Sequence, residues 1–318
     1  MKKTLPLLLA LLAAPLWAQQ GPEPDVIYGS DDRLDLYQVQ SNKLLELADS
    51  TVGLFEGSDV AIEGGRAKLS TRPYGTGYSL CKEEPFYDQV SGAFCSGSLI
   101  GPDLLMTAGH CITSQASCEG TKFVFGFGIK KQGELPTSVA SSEVYGCKTL
   151  IGREQVNSGA DWALIKLDRP VSGHKPLTLN RTGAIADKTP LFVIGHPAGL
   201  PTKVAGGAWV RDSSPSGYFK ANLDTYGGNS GSGVFNAKTG LIEGILVRGE
   251  VDYVWKGSCR VSKECTDDGC RGEDVTKLAS VLPHLPSGAA PASTARVIKI
   301  SEGLAGLLQT LSTAPVFE

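Results

Sequence analysis

The stretch Gly227-Gly228-Asn229-Ser230-Gly231-Ser232-Gly233 restricts what this chain can fold into more than any other segment. Small residues in such density let the backbone turn sharply and bring its N–H groups close to a bound oxygen. Ser230 stands at the centre of that turn. A serine hydroxyl is a poor nucleophile by itself. It needs a base to take its proton and donors to hold the negative charge that forms on an attacked carbonyl. The turn predicts the N–H groups of Gly228 and Ser230 as that donor pair, an oxyanion hole. The same residues also describe a plain glycine–serine loop, so the reading depends on partners elsewhere.

Two partners lie upstream. Cys95-Ser96-Gly97-Ser98-Leu99-Ile100 and Leu104-Leu105-Met106-Thr107 read as two strands joined by a turn at Gly101-Pro102-Asp103, with His110 just past the second. Further on, Asp161 opens the apolar run Trp162-Ala163-Leu164-Ile165. A carboxylate buried at the mouth of a strand can accept from one imidazole nitrogen of His110 and leave the other as a base facing Ser230. The order His, Asp, Ser along the chain is that of chymotrypsin-like enzymes, not of subtilisins or α/β-hydrolases.

On these motifs the chain resembles the trypsin/chymotrypsin-like serine peptidases, and among them the bacterial glutamyl endopeptidase branch. Thr107-Ala108-Gly109-His110-Cys111 matches the family's histidine motif, Asp161-Trp162-Ala163-Leu164-Ile165-Lys166-Leu167 resembles its aspartate motif, and Gly228-Asn229-Ser230-Gly231-Ser232 matches the bacterial form of its serine motif. Val26-Ile27-Tyr28-Gly29 looks like the start of the mature bacterial enzymes, and Val193-Ile194-Gly195-His196-Pro197 resembles the turn that opens their second barrel. The resemblance implies an all-β fold, two six-stranded antiparallel β-barrels of chymotrypsin type with the active site between them. It implies a serine endopeptidase that hydrolyses peptide bonds through an acyl-enzyme, with His110, Asp161 and Ser230 as its triad and no cofactor. A catalytically silent binding protein on the same scaffold and an esterase are the rival readings.

For specificity, the resemblance points to Asp224 and Thr225, six and five residues before Ser230. Asp224 stands where trypsins carry the acid that selects Lys and Arg, whereas Thr225 matches a threonine that glutamyl endopeptidases use on a substrate carboxylate. The histidine those enzymes carry on the next strand corresponds here to Leu246. Arg248 is then either the substituted cation for substrate or the partner that neutralises Asp224. Asn229 replaces the acid that animal trypsins use to bind a freed N-terminus, so that switch is not expected here.

Composition agrees with a turn-rich β protein: 318 residues carry 39 Gly and 18 Pro but only 2 Met. A formal charge of −3 argues against a broad nucleic-acid surface. Residues 1–18, with Lys2 and Lys3 before the apolar run from Leu5 to Leu16, read as a signal peptide too short to anchor in a membrane. Secretion or periplasmic export is expected, with polypeptide substrates, no nucleic acid, no membrane anchor and a monomeric state. Eight cysteines suit an oxidising compartment. Cys95 and Cys111 flank the two strands of a hairpin and are paired here, as the resemblance also implies. Cys81, Cys118, Cys147, Cys259, Cys265 and Cys270 are left unassigned, with zinc a rival for Cys259, Cys265 and Cys270, although no metal site is expected.

The organisation expected is a propeptide or N-terminal arm over 19–50, with a helix-compatible patch at Leu44-Leu45-Glu46-Leu47, and a peptidase domain over 51–280. Its barrels are read at about 51–169 and 190–254, followed by a polar cysteine-rich loop. A Pro/Ala/Ser-rich tail over 281–318 ends in a short C-terminal helix near 300–311. Cleavage after Asp25 would release the mature N-terminus.

Overall fold

A computed structural model describes residues 26–286. The signal segment and the C-terminal helix read from the sequence lie outside the described residues. Thirteen strands carry the architecture. They are β1 (Arg33–Asp35), β2 (Thr51–Glu56), β3 (Cys95–Gly101), β4 (Leu104–Thr107), β5 (Thr121–Val124), β6 (Val144–Gln155) and β7 (Asp161–Leu167), then β8 (Pro190–Gly195), β9 (Lys203–Asp212), β10 (Tyr218–Ala221), β11 (Gly233–Asn236), β12 (Ile242–Arg248) and β13 (Glu273–Lys277).

The first barrel closes antiparallel in the order β5-β6-β7-β4-β3-β2. The second runs β8-β11-β12-β13-β10-β9, is closed by β8 on β9, and carries β1 as a seventh strand on the Lys203–Ala205 stretch of β9. Two six-stranded antiparallel barrels are the chymotrypsin-type architecture expected.

Period-two alternation decides which core each strand feeds. Leu191 and Val193 of β8 pack with Val234, Leu246 and Val275 inside the second barrel. Phe192 and Ile194 face the other way, into a cluster shared with Leu99, Leu105, Phe123 and Leu164 of the first barrel. Phe192 and Phe235 stack there with centroids 4.9 Å apart. The two barrels therefore share an apolar seam, and polar groups that reach it need partners.

The second barrel ends later than the sequence suggests. Its last strand, β13, is Glu-Asp-Val-Thr-Lys, which alternation alone does not mark as barrel wall. Its acids are buried on specific partners, so charge hid a core strand inside what reads as a polar loop. The N-terminal arm is structured over its described residues, 26–50. Ser41 caps a helix, α1 (Asn42–Ala48), whose Leu44 and Leu47 are buried, while Ile27–Tyr28 runs parallel to Glu264–Cys265.

All eight cysteines are bridged: Cys81–Cys259, Cys95–Cys111, Cys118–Cys147 and Cys265–Cys270. The Cys95–Cys111 bridge is as expected. Zinc at Cys259, Cys265 and Cys270 is ruled out, because disulfide sulfurs have no thiolate to offer a metal.

His174, on the segment between the barrels, ties three elements together. Its Nδ1 lies 2.8 Å from Asp49 Oδ2 after α1, its Nε2 lies 2.7 Å from Glu143 Oε2 before β6, and its ring stacks on Phe125. Burial pushes the imidazole toward neutrality, but the two carboxylates outweigh it and raise its pKa above the ordinary histidine value. A raised folded-state value stabilises fully below the unfolded pKa, and that stability is lost as pH rises through the folded value. His174→Gln is therefore expected to cost about 1 kcal/mol, roughly 3 °C in melting temperature, at mildly acid pH. At alkaline pH the variant and the parent should melt together; equal losses at both pH values would contradict the account.

Candidate active site

The site is built where the β4 end, the β7 start and the turn before β11 converge. His110 follows β4 through Gly109, a position that only glycine fits. A Cβ there would meet Glu154 O at 2.1 Å and Trp162 O at 2.7 Å. Arg153 of β6 grips the same turn, donating from Nε and Nη2 to Gly109 O at 3.0 and 2.8 Å.

Asp161 opens β7 and is 2% exposed. Its Oδ2 accepts from His110 Nδ1 at 2.7 Å and its Oδ1 from His110 N at 3.0 Å. An ionised carboxylate only accepts, so Nδ1 carries the imidazole proton and Nε2 is left as the basic nitrogen. Nε2 is buried and has no hydrogen-bond partner among the described residues. Behind the carboxylate, Thr276 of β13 pins the Asp161 backbone on both sides. Its Oγ1 accepts from Asp161 N at 3.0 Å and donates to Asp161 O at 2.9 Å.

Ser230 is 8% exposed and stands against the His110 turn. Its carbonyl lies 3.6 Å from Cys111 Sγ and accepts from Ser96 N at 2.8 Å. A Cβ on the next residue, Gly231, would meet Ser96 O at 2.1 Å and Thr107 Oγ1 at 2.2 Å, so glycine is what lets the turn reach the first barrel. Gly228 has φ of 100°, a left-handed conformation open to glycine alone at this proximity to His196 O. Within the turn, Asn229 N donates to Tyr226 O, Gly231 N to Leu246 O and Ser232 N to Asn229 O. The amides of Gly228 and Ser230 are not among these donors. Asn229 is spent locally, its Oδ1 accepting from Ser232 Oγ at 3.2 Å.

The structure thus pairs His110 with Asp161 and sets the Ser230 carbonyl against Cys111 of the His110 turn. The three specificity residues fall otherwise. Asp224 is buried under the N-terminal arm and accepts from Tyr28 N at 2.7 Å and Asp32 N at 2.8 Å. Burial, with Asp31 nearby, holds its pKa well above the usual carboxylate range. Thr225 is fully buried and donates to Glu273 Oε2 at 3.3 Å, while Tyr28 OH donates to Glu273 Oε1 at the same distance. Arg248 reaches neither. Its Nε pairs with Asp274 at 3.2 Å, its Nη2 donates to Gly159 O at 2.7 Å, and its Nη1 lies 3.8 Å from Asp161 Oδ2. The Asp224 pairing read for Arg248 is corrected, because β12 turns that side chain toward Asp161 of β7 and Asp274 of β13.

Sequence reasoning missed Glu273, Thr276 and Arg153. Glu273 and Thr276 lie on the strand that charge disguised, and Arg153 acts through a backbone carbonyl that no motif encodes. His196 is fully buried in a structural setting. Burial lowers its pKa to about 4, its Nδ1 pairs with Leu200 O, and it stacks on Phe127. The sulfurs of Cys95 and Cys111 lie close to His110 but are bonded to each other, so this trio is not a metal site. A cavity of about 540 Å³ opens beside the serine turn, lined by Gly227, Gly228, Phe94, Arg72, Tyr78 and Asp59 among others.

With this geometry in view, residues 95–245 match the family described as trypsin-like peptidase domain. A glutamyl endopeptidase of Bacillus licheniformis is 33% identical over 155 residues, 44% of this chain and 45% of that protein. A trypsin of Sarcophaga bullata is 33% identical over 148 residues, 46% of this chain and 48% of that protein. The chain spans about half the length of these curated relatives. A solved structure of Glu endopeptidase in complex with MPD covers 81% of this chain and 96% of its own at 16% identity and a TM-score of 0.44, too distant to bear on the chemistry.

Gly109→Ala is expected to lower stability by about 3 kcal/mol, since its Cβ would collide with two backbone carbonyls that cannot rotate away. Thermal unfolding checks this. An unchanged melting temperature would mean that the turn carrying His110 is not held as described.

Proposed function

We propose that this chain, a member of the trypsin-like peptidases through residues 95–245, is a serine endopeptidase whose triad is His110, Asp161 and Ser230. The observation that carries the reading is the 2.7 Å His110–Asp161 pair with an unpartnered Nε2 beside the serine turn. Ser230 Oγ attacks the peptide carbonyl while His110 Nε2 takes its proton. Asp161 keeps the imidazole in the productive tautomer and offsets its positive charge. The N–H groups of Gly228 and Ser230 hold the oxyanion. His110 then delivers the proton to the leaving amine, and water resolves the acyl-enzyme by the same route in reverse.

For the residue before the scissile bond, the reading favours a basic or neutral side chain over an acidic one. Asp224 and Glu273 lie beneath and beside Thr225, and Arg248, the cation offered to a substrate carboxylate by the sequence, is engaged elsewhere. A substrate carboxylate brought against these buried groups would lose water without Arg248 to pair with, which is strongly disfavoured. The four disulfides and the export-type leader together support secretion or a periplasmic location. No helix of the described residues is long and apolar enough to cross a membrane.

Ser230→Ala should abolish covalent labelling by a fluorophosphonate; equal labelling would sink the nucleophile assignment. Asp161→Asn should keep the fold and lose roughly 10⁴-fold in kcat, as the Ser-His-Asp template leads one to expect. A peptide-library profile should show cleavage after Glu or Asp at least about tenfold slower than after Lys, Arg or neutral residues. A preference for Glu would overturn the pocket reading and leave the triad intact.

A further inference from the structure

We propose that Arg248 is a positioning residue for the Asp161–His110 pair, supplying the positive charge against which Asp161 stays ionised and fixing the turn from which Asp161 emerges. The proposal rests on the triad reading above. Asp161 is almost wholly removed from water, and a buried carboxylate persists as an anion only where charge and hydrogen bonds compensate it. His110 gives it two hydrogen bonds, from Nδ1 and from its backbone N–H. The guanidinium of Arg248, 3.8 Å from the same Oδ2 that accepts from Nδ1, is the formal cation within ion-pair distance.

Arg248 is itself held on every side. Its Nη2 and Nη1 donate to Gly159 O and Val156 O, the carbonyls of the turn leading into β7. Its Nε pairs with Asp274 and its guanidinium lies over the Tyr218 ring. Asp274 is buried and also accepts from Arg271 Nη2 at 2.9 Å. Charges therefore alternate away from the imidazole: Asp161 negative, Arg248 positive, Asp274 negative, Arg271 positive. On neighbouring β6, the Arg153 guanidinium sits on Gly109 O and Glu154 accepts from Trp162 Nε1.

This arrangement sets a direction. A cation against Asp161 weakens the pull of that carboxylate on the imidazole proton, so His110 is free to act as a base at lower pH than it would be without Arg248. Removing the charge should move the acid limb of the kcat/KM profile to higher pH. Removing Asp274, which offsets Arg248, should move it to lower pH.

The test uses the mature enzyme and a neutral peptide substrate, with kcat and KM measured separately from pH 4 to 9 and active sites counted by fluorophosphonate titration. Arg248→Gln is expected to raise the acid limb by about half to one pH unit and to lower kcat more than it raises KM. Arg248→Lys keeps the charge without the fork and should retain the parental limb even if kcat falls. Asp274→Asn should shift the limb the opposite way, which keeps the proposal testable should Arg248→Gln fail to fold. An unmoved limb in the glutamine and Asp274 variants overturns the proposal, as does a pure KM effect, which would return Arg248 to substrate binding. Parental enzyme that neither labels nor hydrolyses peptides would instead overturn the triad reading, and this proposal with it.

Discussion

A single buried carboxylate, Asp161, is the group on which the site depends. It is buried at the junction of two barrels, and the surrounding chain supplies it with polar partners. His110 gives it two N–H bonds, Thr276 fixes its backbone and Arg248 stands behind it. Thr276 and Arg248 belong to the second barrel, whereas Asp161 and His110 belong to the first. The pair proposed for catalysis is therefore held across an interface by a few polar contacts in a low-dielectric setting, where each is worth more than it would be in water.

Ser96 supplies the complementary stitch. Its N–H binds Ser230 O, its Oγ donates to Gly228 O and accepts from His196 N, and its carbonyl accepts from Thr107 Oγ1. One small, fully buried residue on β3 thus joins the serine turn, the His196 turn and the strand leading to His110. A larger side chain could not enter this junction, and a group without hydrogen-bonding capacity would leave buried donors and acceptors unpaired. The N-terminal arm does similar work below the pocket. Arg33 stacks on Tyr226 with its centre 4.2 Å from the ring while it pairs with Asp31, and Lys203 is buried on Asp35 and Gln89. The segment just before the nucleophile is braced by residues almost two hundred positions away, so the arm belongs to the body of the second barrel.

Legibility in the sequence followed physical type. Strands that are continuous apolar runs, such as β8 and β12, could be read because burial on both faces leaves a trace in one dimension. Ser230, His110 and Asp161 could be read because each sits beside local features that chemistry demands: glycines that permit a tight approach, a strand end that aims an imidazole, an apolar run that buries an acid. β13 left no such trace. Glu273, Asp274 and Thr276 are polar residues buried on partners from other elements, and nothing near them in the chain announces those partners. The partners of Arg248 were hidden for the same reason, since they depend on which way β12 faces and on acids at positions 161 and 274.

The amino-acid order by itself determined the class of fold, the serine turn and the three side chains proposed for catalysis, because those rest on short-range patterning and on backbone freedom that glycine alone provides. Tertiary structure decided the pairing of six cysteines, the extent of the second barrel and the fate of every charge near the pocket. A buried ion is defined by what stands within a few ångströms of it, and for Asp224, Arg248 and Glu273 those neighbours come from distant parts of the chain that only folding brings together.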